Sequence, residues 1–173
     1  STHFRDITLL SKLPVLDYKD QMVKVILPDG TQGWIEKSPR PQYTDVDVER
    51  LVQTALRFLG TQYFWGGRSP KGFDCSGFVQ TTFWLNGLQL PRDAYQQAEV
   101  GVKVDDDFNT WQVGDLIFFT ERSERITHIA ISLGGGDFIH SSGYVKLNSL
   151  NPDHQDLFLQ KYSDTFTKTM RVI

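Results

Sequence analysis

The stretch "THIAISLGGGDFIHSS", residues 127–142, sets two alternating runs on either side of three glycines. In the first run His128, Ala130 and Ser132 share one face, while Ile129, Ile131 and Leu133 take the other. In the second, Phe138, His140 and Ser142 lie together. Gly134 to Gly136 form the tight turn between them. The reading is an antiparallel hairpin with one histidine in each strand. Opposed residues in a hairpin have numbers of constant sum. A turn centred on Gly134 sets His128 directly across from His140; one centred on Gly135 makes the pair diagonal on the same face. A half-residue centre puts them on opposite faces, because a one-step slip flips every side chain. Same-face neighbours lie about 5 to 8 Å apart.

Working outward, "DLIFFT" (115–120) and "TMRVI" (169–173) are further strands. Helical spacing comes earlier in the chain. Val48, Leu51, Val52, Ala55, Leu56 and Leu59 stack on one face, with a capping box expected from Thr44 and Asp47 and a stop at Gly60. A second helix is expected from about Cys75, with Phe78, Val79, Thr82 and Phe83 on its apolar stripe. Helices first and strands later, without βαβ alternation, predict an α+β fold with helices packed on an antiparallel sheet.

Residues 4–37 read as short strands. "MVKVIL" (22–27), "PDG" (28–30) and "TQGWIE" (31–36) make a hairpin signature. An isolated hairpin is marginal, so this segment must pack on the rest or continue in sequence outside this chain. "SPRPQY" (38–43) is the linker. Two domains are expected, a small β module over 1–40 and a larger one over 41–173.

The chain has 173 residues, a net charge of −3 and one cysteine. That charge is too small to point to nucleic acid. One cysteine makes no internal disulfide and says nothing about compartment. No apolar run is long enough to span a membrane. The first residue is Ser rather than Met, which we read as a trimmed or mature product. Oligomeric state is not legible.

The cysteine lies in "GFDCSGFVQTTF" (72–83). A helix N-terminus presents unpaired N–H groups that favour a thiolate, and the same groups can hold an oxyanion. Asp74 is a natural N-cap, and Gly77 leaves room for close approach. The bland alternative is a small buried core residue. The histidines decide. His3 and His154 sit in polar surroundings and are expected to be exposed, whereas His128 and His140 each interrupt an apolar strand. In a nucleophile–base–orienter triad, His128 takes the proton of Cys75 and His140 holds the first ring's tautomer. The alternatives are two strand histidines satisfied by backbone carbonyls, or a zinc site, which lacks compact ligand spacing here.

"FDCSGFV", "THIAISL" and "FIHSSG", in that order, resemble the NlpC-type cell-wall cysteine peptidases, with "YFWGG", "LPRDAYQQA" and "VGDLIFF" in support over residues 44–173. "DGTQGWIE" resembles part of a bacterial Src-homology-3-like barrel. The resemblance implies a papain-like domain after a small β-barrel module. It implies hydrolysis of the γ-D-glutamyl–diamino acid bond of peptidoglycan stem peptides, where the diamino acid is diaminopimelate or lysine. By motif position it makes Cys75 the nucleophile, His128 the base and His140 the orienter. Tyr63 would help at the oxyanion, Asp74 and Ser76 would line the groove, and Asp93 would bind the free amine of a leading L-Ala. Where some relatives carry Ser, Ala94 stands. No cofactor or metal is implied, and the substrate places the protein at the bacterial cell envelope, with cytoplasmic recycling as the other option. Two other readings stay open: a non-catalytic cell-wall binding protein, and a related thiol amidase or acyltransferase. Of the four tryptophans, Trp65 has the best claim to the substrate groove.

Overall fold

The structure, a computed structural model, describes residues 7–37, 45–121 and 125–173. The expected linker over 38–43, His3 and Thr44 lie outside them. The chain divides into two compact units, Ser1–Gln42 and Tyr43–Ile173.

In the first unit three strands, β1 (Val15–Lys19), β2 (Met22–Ile26) and β3 (Gln32–Glu36), form an antiparallel sheet in that order. The Pro-Asp-Gly turn joins β2 to β3 as expected. Gly30 takes φ +85°, and the Leu27 N–H reaches the Thr31 carbonyl at 2.8 Å. Alternation along β2 buries Val23 and Val25. Among the described residues this unit is a three-stranded sheet rather than a closed barrel.

The second unit opens with α1 (Val48–Leu56), capped by Asp47, whose carboxylate accepts from the Arg50 N–H at 3.1 Å. Asp47 is thus the cap itself, not the third helical residue of a box begun at Thr44. The helix stops at Leu56, short of Gly60. That early stop rotates Leu59 outward and brings Phe58 into the core in its place. A two-stranded ribbon follows, β4 (Arg68–Ser69) with β5 (Gly72–Phe73), then α2 (Cys75–Leu85) and the single turn α3 (Ala94–Gln97). The start of α2 falls at the expected residue. Its burial is wider than a stripe, since Ser76, Gly77 and Thr81 are covered as well.

Six antiparallel strands make the main sheet. In chain order they are β6 (Val102–Val104), β7 (Leu116–Phe119), β8 (His128–Gly134), β9 (Asp137–Ser142), β10 (Tyr144–Ser149) and β11 (Phe166–Arg171); α4 (Gln160–Thr165) precedes the last. Across the sheet the order is β10-β9-β8-β7-β11-β6. One face packs Leu116, Phe118, Ile129 and Ile131 with Phe78, Val79 and Phe83 of α2. The other packs Ile117, Phe119, Ala130 and Phe138 around Tyr162 of α4. This is the expected α+β layering. Sequence reading missed β6 and β10.

The β8–β9 register pairs Ile131 with Ile139 and Ser132 with Phe138, then shifts before Gly134. Those two pairs keep the register of a turn centred on Gly135, while beyond the shift Gly134 pairs with Asp137. His128 and His140 are therefore diagonal on one face, the second of the three geometries weighed above.

Candidate active site

Cys75 is the first residue of α2, and Asp74 caps it by accepting from the Gly77 N–H at 2.6 Å. Asp74 is also fixed from two other sides. Its second oxygen accepts from the Gly66 N–H at 2.9 Å, and Arg92 grips both oxygens as an ion pair. Arg92 further donates to the Ser76 hydroxyl at 2.9 Å. A Cβ on Gly77 would collide with the carbonyl oxygen of Gly67, so only glycine lets the 64–67 loop cross the first turn of α2. That crossing brings Tyr63 into one cleft with Cys75. Tyr63 is tied down by its N–H to the Gly143 carbonyl at 2.8 Å and by a bridge to Phe73.

The strand side is held differently. His128 Nε2 lies 2.7 Å from His140 Nδ1, and His140 Nε2 lies 3.0 Å from Asn148 Oδ1. The two rings meet edge-on at 4.9 Å between centroids. Tyr162 stacks on His128 and sets its edge against His140, with its hydroxyl 3.4 Å from His140 Nε2. All four side chains are buried.

Cys75 and His128 open into one cleft of about 820 Å³, together with Tyr63, Ser76, Arg92 and Asp93. That volume suits a small ligand. Asp93 is exposed there and also caps α3 in a capping box with Gln96. Trp65 stands at the mouth, 85% exposed, while Trp111 packs inside against Phe166. His154 is half-exposed and paired with Asp137 at 2.6 Å. Sequence reasoning missed Arg92, Asn148 and Tyr162. Arg92 stood beside Asp93 in "PRDA" and was passed over. Asn148 and Tyr162 become neighbours of the histidines only through strand register and α4.

The electrostatics correct one expectation. Burial, and after it the carboxylate of Asp74, push the Cys75 thiol up to about 11, against the opposing pull of the Ser76 and Ile129 N–H groups. The helix terminus does not win. The thiol donates instead to the Thr127 carbonyl, at 3.8 Å. Burial holds His128 down to about 3, and burial together with the His128 charge lowers His140 well below its usual range. Burial raises the Tyr63 hydroxyl to about 12, so it stays a hydrogen-bond donor at neutral pH. The unliganded site is a thiol beside two neutral imidazoles. Chemically it can remove a proton as a substrate arrives, with no ion pair formed in advance. Among the described residues no cluster of three or more His, Cys, Asp or Glu could hold a metal, and no helix is long and apolar enough to cross a membrane.

A helix-borne thiol thus shares one cleft with the outer ring of a strand-borne histidine pair. The NlpC/P60 family model matches residues 60–166, and the chain belongs to that family. It is 45% identical over 141 residues to the γ-D-glutamyl-L-lysine dipeptidyl-peptidase of Bacillus subtilis, covering 79% of this chain and 46% of that one. Against the protein of the same name from Bacillus cereus it is 31% identical, covering 91% and 49%. The crystal structure of an NlpC/P60 family protein from Bacillus cereus superposes with a TM-score of 0.75 at 30% identity, over 96% of this chain and 55% of that one. The chain thus spans about half the length of the curated relatives it matches.

Proposed function

We propose that this protein is a cysteine endopeptidase that hydrolyses the γ-D-glutamyl–diamino acid bond of peptidoglycan stem peptides and prefers a free N-terminal L-Ala. The observation that carries this reading is the Cys75 thiol sharing one cleft with His128, whose ring is backed by the fully buried His140. His128 accepts the thiol proton as sulfur attacks the γ-carbonyl carbon. The oxyanion faces the Tyr63 hydroxyl and the start of α2. Collapse breaks the C–N bond, and the proton passes from His128 to the leaving amine. Water, deprotonated by His128, then releases the acyl group from sulfur and the thiol regains its proton.

The γ-linked glutamate keeps its α-carboxylate, and the Arg92 guanidinium beside Ser76 offers that anion a partner. Asp93 offers its carboxylate to the amine of L-Ala, and an intact glycan strand carries no such amine. The names of the relatives make L-lysine peptides a natural first substrate, with diaminopimelate as the second. Such a substrate puts the protein at the cell envelope.

Mass spectrometry of L-Ala-γ-D-Glu-L-Lys and its diaminopimelate analogue, each with an N-acetylated copy, tests this. Release of L-Ala-D-Glu from the free peptides alone is the expected result. Cleavage of acetylated copies equally well removes the role of Asp93. Turnover that survives Cys75→Ala overturns the peptidase. The non-catalytic binding reading predicts binding without turnover. Alkylation of Cys75 does not separate the two, because a thiol raised to about 11 is slow in either case. A lipid amide substrate would leave Asp93 without a cation to meet.

A further inference from the structure

We infer that Asn148 is a positioning residue: it sets the tautomers of both histidines and so keeps Nδ1 of His128 free to accept the proton of Cys75. The inference rests on the pairing of Cys75 with His128 proposed above.

The order of hydrogens is set from the backbone. The Leu157 carbonyl accepts from the Ser149 N–H at 2.9 Å and from Asn148 Nδ2 at 2.8 Å. Only the nitrogen end of a carboxamide can donate, so Asn148 is oriented with Oδ1 toward His140. Oδ1 can only accept, and His140 Nε2, 3.0 Å away, must carry the hydrogen. A neutral imidazole has one N–H, which leaves His140 Nδ1 as an acceptor. His128 Nε2, 2.7 Å from it, is then the donor. The remaining nitrogen, His128 Nδ1, has a lone pair and, among the described residues, no hydrogen bond.

Burial keeps both rings neutral, which the argument needs. The order also suits the reaction. When His128 takes a proton at Nδ1, its Nε2–H still donates to His140, and no other hydrogen has to move. The reverse order is available to the rings themselves. The Tyr162 hydroxyl, 3.4 Å from His140 Nε2, could donate there and flip both rings, setting an N–H against the thiol. Asn148, only 6% exposed, prevents this, because its Oδ1 would then face a lone pair in a dry site.

Two substitutions separate positioning from packing. Asn148→Asp keeps an acceptor at His140 and loses the donor to Leu157. Asn148→Leu loses both. Long-range ¹⁵N–¹H spectra of the unliganded protein read the tautomers without any substrate, so this result stands apart from the identity of the peptide. The expected wild-type pattern is Nε2–H on both rings. Asn148→Leu should show the reverse tautomer and lose kcat by about 10- to 100-fold at unchanged KM. Asn148→Asp should keep the wild-type tautomer and most of kcat despite its own lower melting temperature. Nδ1–H on either ring of the wild type overturns the inference. So does parallel loss of activity and stability in both variants with tautomers unchanged. If Asn148→Leu fails to fold, the wild-type spectrum and Asn148→Asp still decide.

Discussion

The two walls of the cleft solve the same problem, holding polar groups away from water, in opposite ways. The α2 wall is ionic: Asp74 takes a backbone cap, a second N–H and a guanidinium, and passes order on to Ser76. The β8–β9 wall carries no formal charge: two imidazoles, an amide and a phenol are joined by neutral hydrogen bonds and ring contacts. The charged wall fixes positions. The neutral wall leaves room for one proton to arrive. In the proposed reaction an imidazolium at His128 would form against that neutral chain, with Lys161 and Lys146 as the cations that act on it.

The largest break is Cys75→Ala. Turnover of the stem peptide should fall by about 10⁶, since the nucleophile acts as a unit with its base. Circular dichroism should show an unchanged fold, because Ala fills much of the same apolar space. A variant that stays active makes the neutral wall idle.

Asp74→Asn tests the ionic wall alone. An amide still caps α2, but Arg92 loses its counter-charge in a partly buried site, at a cost of about 2 kcal/mol in denaturant unfolding. The same change removes one cause that raises the thiol pKa, so Cys75 should alkylate faster at pH 8. Loss of stability with slower alkylation would contradict this account.

The neutral wall should show itself in acid. His128 is lowered to about 3 when folded, and His140 is lowered too, so between pH 6.5 and pH 3 the unfolded chain binds protons that the folded one does not. Stability must then fall as pH falls through that window, by up to about 1.4 kcal/mol per pH unit for each imidazole. Urea unfolding at pH 7, 6 and 5 measures the slope, and His140→Gln should flatten it. A flat wild-type profile means that the rings are not held neutral.

The smallest effect is expected at Asp93. Asp93→Asn keeps a good cap for α3 and should raise KM for free-amine peptides by about 5- to 10-fold, roughly 1 kcal/mol, while the acetylated copies stay uncleaved.

Most of this site could be read from the chain because period-2 and helical spacing are local. They placed Cys75 at the start of α2 and one histidine in each strand, and the three glycines limited the turn to a few registers, one of which would have set the histidines on opposite faces. What escaped was contact between distant segments. Asn148 lies on a strand whose pairing needs the β9–β10 turn at Gly143, and Tyr162 comes from a short helix after a long loop. Helix α1 ended early because packing of Phe58 outweighed the regular stripe that favoured Leu59. The thiol pKa was misjudged for a related reason. The N–H groups of a helix end are visible in sequence, but the burial around Cys75 and the carboxylate that also caps it act together only in the fold.

The protonated resting thiol has a consequence for chemical survival. Peroxide attacks thiolate, and a thiol with a pKa near 11 presents about one thiolate in ten thousand molecules at neutral pH. An enzyme acting on the wall outside the cell membrane, as proposed, would work where glutathione and thioredoxin do not reach. With its only cysteine held as S–H against the Thr127 carbonyl until a peptide arrives, such an enzyme would resist conversion to sulfenic acid while it waits.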